Sequence, residues 1–169
     1  MTMNANHPKP FELSMSDAQM AAKNAFEEIH YGRYRAFDAW NVPEYCKYLS
    51  EDIIFTVESP TSDNINVSGI EAVTNMTNGF RDVLNNDMFD GFCHETKAIK
   101  YNKIDPNRVE AEIALSLWQR IKATGEWKQQ VFNKLIDKEP KLGRFTLFVT
   151  SEKRDGKWVV TEQKSISQD

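Results

Sequence analysis

The chain has 169 residues, 40% of them apolar and 11% aromatic, which excludes wholesale disorder and fits the size of one domain. Twenty-one Lys and Arg against 25 Asp and Glu leave a net charge of −4, so a nucleic-acid partner, which usually meets a basic face, is not expected. Apolar runs are only a few residues long, far short of the ~20 that cross a bilayer, and no membrane partner is expected either.

Residues 1–13, with two prolines and little pattern, read as a mobile lead. Residues 14–169 read as a single domain. Ser16-Asp-Ala-Gln19 fits a capping box, and behind it Ala22, Ala25, Phe26, Ile29, Arg33, Ala36, Phe37 and Trp40 recur at helical steps. This predicts a helix over 17–40. Pro43 suits the first turn of a short helix over 43–49. Ile53-Ile-Phe-Thr-Val57 is β-rich, 59–64 reads as a loop, and Ser68-Gly-Ile-Glu71 reads as a second capping box opening a helix through Leu84.

Long strands follow. The first, over 92–104, ends at the turn Asp105-Pro-Asn107. In the next, Val109, Ala111, Ile113, Leu115, Leu117 and Ile121 alternate with Glu110, Glu112, Ser116 and Arg120, which predicts a strand with one face on the core. Residues 122–143 are mixed and polar, and 127–136 could form a short helix. Strands over 144–154 and 157–166 are joined by Asp155-Gly156, a tight hairpin signal. Helices followed by long strands predict an α+β domain with a strongly curved, mostly antiparallel sheet.

Little in the sequence points to a cofactor. The seven glycines are scattered and form no phosphate loop, and no His, Cys or Asp set has metal-ligand spacing. Cys46 and Cys93 make no disulfide framework, and no basic region leads an apolar run at the N-terminus. A cytoplasmic protein with free thiols is the plain expectation. Cys93 and His94 are strand neighbours pointing to opposite faces, which sets aside a thiol–imidazole dyad.

The order of elements, carried by Tyr34-Arg-Ala-Phe-Asp-Ala-Trp-Asn41 running into Leu49–Val57, by Val67–Glu71, by a strand opening with His94 and by Asp155-Gly-Lys-Trp158, resembles the nuclear transport factor 2-like superfamily. Within it the resemblance is to the SnoaL-like and scytalone dehydratase branch, over roughly residues 17–166. It implies a cone-shaped, cystatin-like fold with three helices enclosing an apolar pocket. Phe37, Val57, Leu115 and Leu117 would line that pocket, with Gln119 the polar member of the inward row. A small hydrophobic molecule is the implied ligand.

The same resemblance implies that His94 is a general base or acid and that Asp38 orients it. The tyrosine beside that aspartate in scytalone dehydratase is Phe37 here. Strand alternation groups His94 with Phe92, Thr96 and Ala98. Tyr34, one turn before Asp38 and on its face, matches the oxyanion-hole tyrosine of ketosteroid isomerases of this fold. Their basic aspartate is Ser59 here and their second aspartate is apolar near Val149, which argues against that isomerase route. An imidazole held by a carboxylate keeps one ring nitrogen basic, the arrangement that proton abstraction beside a carbonyl requires.

Two classes of function remain. One is a cofactor-independent lyase or isomerase using His94, Asp38 and Tyr34. The other is a non-catalytic ligand-binding or dimerisation domain, towards which Phe37 and Ser59 lean. A nuclear-transport partner role has nothing basic or repeat-binding behind it. Trp118 on the outward face of the best strand leads us to expect a homodimer.

Overall fold

The computed structural model describes residues 14–60, 63–86, 89–121 and 143–168. The expected mobile lead at 1–13 and the possible helix at 127–136 lie outside these residues.

Helix α1 spans Asp17–Asp38, and its capping box is formed: the Ser16 hydroxyl accepts from the Gln19 amide and the Gln19 side chain accepts from the Ser16 amide. Gln19 also donates from Nε2 to the Ile104 carbonyl at 2.9 Å, tying the helix start to the far end of a strand. The helix is two residues shorter than the periodicity predicts. The Asn41 amide bonds the Ala36 carbonyl and the Trp40 amide bonds the Phe37 carbonyl, while Trp40 takes φ 56°. This is a Schellman stop with a tryptophan where glycine is usual, so the sequence carries no glycine to mark it.

Asn41 then caps α2, Val42–Cys46, by accepting from the Glu44 amide. Strand β1, Leu49–Glu58, takes up Leu49, which the sequence assigned to the helix. β2 is Ile65–Ser68 and α3 is Ile70–Asn86. Ser68 ends β2, so α3 starts one residue later than the expected cap. Gly69, at φ 87°, takes the cap position, and its carbonyl accepts the first helical bond, from Val73. β3, Phe89–Asp105, and β4, Arg108–Ile121, pair along their whole length, and β5, Gly143–Arg154, turns into β6, Lys157–Ser167. Asp155 and Gly156 both have positive φ at that turn, as a tight hairpin requires.

The sheet order is β2-β1-β6-β5-β4-β3, with β1 and β6 parallel and every other pair antiparallel. Irregularities at 89/91, 96/98 and 101/103 add twist to β3 and help the sheet curl. The bulge between Thr96 and Ala98 corrects the expected alternation. Ala98 is exposed, and Ile99 and Tyr101 pack against the core.

The inward row of β4 is as predicted: Val109, Ala111, Ile113 and Leu115 are buried against Phe26, Ile29 and Ala36 of α1 and Leu147 and Val149 of β5. Ser116, expected outward, is buried. Glu95 and Arg144, both with longer side chains, stand opposite it on the flanking strands. Among the described residues no helix is long and apolar enough to cross a membrane.

Candidate active site

The stop after Asp38 places that carboxylate on the last residue of α1, at the level of His94 in β3. Asp38 grips His94 twice. Oδ2 accepts from the His94 main-chain amide at 3.0 Å, and Oδ1 pairs with the imidazole Nδ1. The His94 side chain is 10% exposed and that of Asp38 21%, so water screens the pair only partly. Tyr34 lies against the imidazole with ring centres 4.7 Å apart, and Phe37 stands edge-on at 5.2 Å. In a neutral imidazole facing a carboxylate, Nδ1 carries the proton. Nε2 is then the lone-pair nitrogen left to a ligand.

His94 is part of the wall of a cavity of about 250 Å³ between α1, α3 and the sheet. Phe55, Val57, Leu115, Leu117, Phe145 and Leu147 come from the strands, and Met76, Thr77 and Phe80 from α3. An apolar cavity of about 150 Å³ already holds benzene, so a substituted single ring fits here. Among the described residues the polar groups are few, and besides His94 and Thr77 they are Tyr34, Tyr45, Gln163 and Ser165. Burial raises the phenol of Tyr34, opposed by the Arg33 charge and a hydrogen bond with Gln163, and burial likewise raises Tyr45. Tyr34 is thus a neutral O–H donor at neutral pH.

The other described histidine does different work. His30 is fully buried on α1, bonds Thr96 Oγ1 through Nε2 at 2.8 Å, and leaves Nδ1 without a partner. Burial first, then the charges of Arg33 and His94, lower its pKa to about 3. It stays neutral and structural.

The structure brings Tyr34, Phe37, Val57, His94, Leu115 and Leu117 to one cavity, with Asp38 behind His94. Asp38 borders a second cleft, of about 340 Å³, with Tyr31, Arg35 and Thr96. Gln119 lies in β4 opposite Phe92, and its side chain is outside the described ones. Ser59 follows β1, and its amide bonds Asn64 Oδ1. Cys93 is exposed. Among the described residues no group of three or more His, Cys, Asp and Glu is placed to hold a metal.

Sequence reasoning singled out neither Arg33 behind the wall nor, among the lining residues, Tyr45, Phe55, Met76, Thr77, Phe80, Phe145, Leu147, Gln163 and Ser165. The signal for Arg33 was present, because an arginine stands within an apolar helical stripe. Gln163 and Ser165 gave none, since the inward row of β6 is polar at 161, 163 and 165 and alternates with charged residues.

No protein-family model and no curated protein sequence matches this chain. Solved structures do. A scytalone dehydratase-like protein from Novosphingobium aromaticivorans DSM 12444 is 16% identical, with a TM-score of 0.68 over 92% of this chain and 89% of that one. The hexachlorocyclohexane dehydrochlorinase LinA-type3 from Novosphingobium barchaimii LL02 is 13% identical, with a TM-score of 0.66 over 91% and 92%. An NTF2-like protein from Pseudomonas putida KT2440 is 13% identical, with a TM-score of 0.64 over 87% of each chain. With its three helices on a curled, unclosed six-stranded sheet, this chain has the nuclear transport factor 2-like fold, as the sequence resemblance led us to expect.

Proposed function

We propose that the cavity is a cofactor-independent proton-transfer site of the lyase type, acting on a small hydrophobic substrate with an acidic C–H beside a carbonyl. The observation that carries this reading is the double grip of Asp38 on His94 at the wall of a mostly apolar cavity. His94 Nε2 takes the proton, and the C–H pair moves into the enolate. Tyr34 donates to the enolate oxygen, and Asp38 stabilises the imidazolium through Nδ1. The electron pair then expels a leaving group on the next carbon, and the imidazolium returns the proton to it. Return of the proton to another carbon instead would make the reaction an isomerisation.

Neighbours named for dehydration and dehydrochlorination support elimination. Phe37, where the resemblance has a tyrosine, is the observation on the side of a non-catalytic ligand-binding domain. Solvent deuterium entering a panel of small apolar β-hydroxy ketones tests the choice. Incorporation with the native chain and none with His94→Ala supports turnover, while equal rates leave a binding domain.

The homodimer is proposed on the exposed outer face of the sheet. Trp118 is 42% exposed and Phe148 39%, and both stand opposite the core row. Light scattering at micromolar concentration should give twice the chain mass, lowered by Trp118→Lys. A strictly monomeric mass contradicts the proposal.

A further inference from the structure

The core face of α1 holds a charge that has no counter-charge among the described residues. Arg33 is 0% exposed, and its Nη1 donates to Gln163 Oε1 at 2.5 Å. Its guanidinium carbon lies 4.8 Å from the centre of the Tyr34 ring. Nε and Nη2 have no hydrogen-bond partner, and no carboxylate pairs with the guanidinium among the described residues. A buried ion left this way is strongly unfavourable unless an opposite charge arrives.

The contact with Arg33 also fixes its neighbours. Because the Gln163 amide oxygen faces the guanidinium, the amide nitrogen points the other way and donates to Ser165 Oγ at 3.0 Å. Ser165 accepts that bond, so its own hydroxyl proton is left to donate. Gln163, Ser165 and Tyr34 all line the cavity, whereas Arg33 lies behind the wall. The hydroxyls of Tyr34 and Ser165 therefore face the cavity with a positive charge behind them that meets no carboxylate among the described residues. Such donors stabilise a negative oxygen far better in a dry site than in water.

We propose that Arg33 is a positioning residue that makes the cavity selective for ring-sized apolar ligands bearing one ionised oxygen, a phenolate or an enolate, bound by the hydroxyls of Tyr34 and Ser165. The inference places its ligand in the same cavity as the proposed function, yet it requires no turnover. The Arg33 charge is already felt nearby, since it helps to lower His30 and opposes the rise of Tyr34.

4-Nitrophenol is a suitable probe, because its phenol and phenolate absorb at different wavelengths. Bound to the native chain, it should be ionised at a pH where the free compound is mostly neutral, which corresponds to binding the phenolate about tenfold or more tighter than the phenol. Arg33→Met should abolish that preference. Gln163→Glu gives Arg33 a carboxylate partner, so it should abolish the preference while holding or raising Tm, which keeps the test open if the methionine variant fails to fold. An unchanged preference in Gln163→Glu, or in a folded Arg33→Met chain, overturns the inference.

His94→Ala should keep the preference, because the charge resides on Arg33. Its loss there would overturn the inference. No binding of nitrophenol at millimolar concentration, or identical titration of the bound and free probe, overturns it as well. A native chain that prefers the phenolate but exchanges no deuterium refutes the proposed function and leaves this inference standing.

Discussion

Asp38→Asn is expected to slow deuterium incorporation by about 10²–10⁴-fold, and His94→Ala by at least as much. The aspartate variant is the sharper of the two because it moves almost nothing. An asparagine side chain still offers one oxygen to the His94 amide, which Asp38 Oδ2 now accepts from at 3.0 Å. With the oxygen used there, the NH₂ group must face Nδ1. Nδ1 then becomes an acceptor, and the imidazole proton moves to Nε2, the atom that should be taking a proton from the substrate. Stability should change little, and ligand binding should survive. Steady-state rates and Tm of the two variants check both halves, and an Asp38→Asn chain as active as the native one contradicts the mechanism.

The second large effect is on stability and comes from His30. Its pKa in the folded chain is about 3 against an ordinary value of 6.5, so the fold binds it neutral. The stability this contributes is fully present above pH 6.5 and is lost as pH falls from there towards 3. The loss is about 1.4 kcal/mol per pH unit, or about 2–3 kcal/mol between pH 7 and pH 4.5. That is a large share of a typical 5–15 kcal/mol. The groups facing the ring are Phe26, Tyr31, Arg33 and Tyr34 from α1, and His94 and Thr96 from β3. His30→Phe keeps the ring volume and cannot charge. Urea unfolding at the two pH values should show the native chain losing about 2–3 kcal/mol more than this variant. Equal losses would mean that His30 does not titrate with folding.

How much of this was legible in the sequence follows from which physical signal each element carries. β4 was clear because one face meets the core and the other does not, so its apolar residues fall at every second position. The hairpin was clear because Asp155-Gly156 tolerates positive φ. The end of α1 was not, since Trp40 takes a left-handed conformation without any sequence mark. The outward turn of Ala98 follows from a bulge, which hydrophobic alternation cannot foresee.

The site divides in the same way. His94, Asp38 and Tyr34 were found through resemblance and helix spacing, which do not depend on side-chain packing. The Arg33–Gln163–Ser165 chain links positions 130 residues apart, and no local pattern joins them. An arginine within an apolar helical stripe was the only trace it left.

The proposed chemistry needs one imidazole in one tautomer. Nitrogen-15 NMR of the His94 ring at neutral pH reads it directly, through the distinct shifts of protonated and unprotonated ring nitrogens. A proton on Nδ1 and a bare Nε2 are expected in the native chain, with the two exchanged in Asp38→Asn. A proton on Nε2 in the native chain, or the same spectrum from both proteins, would contradict it.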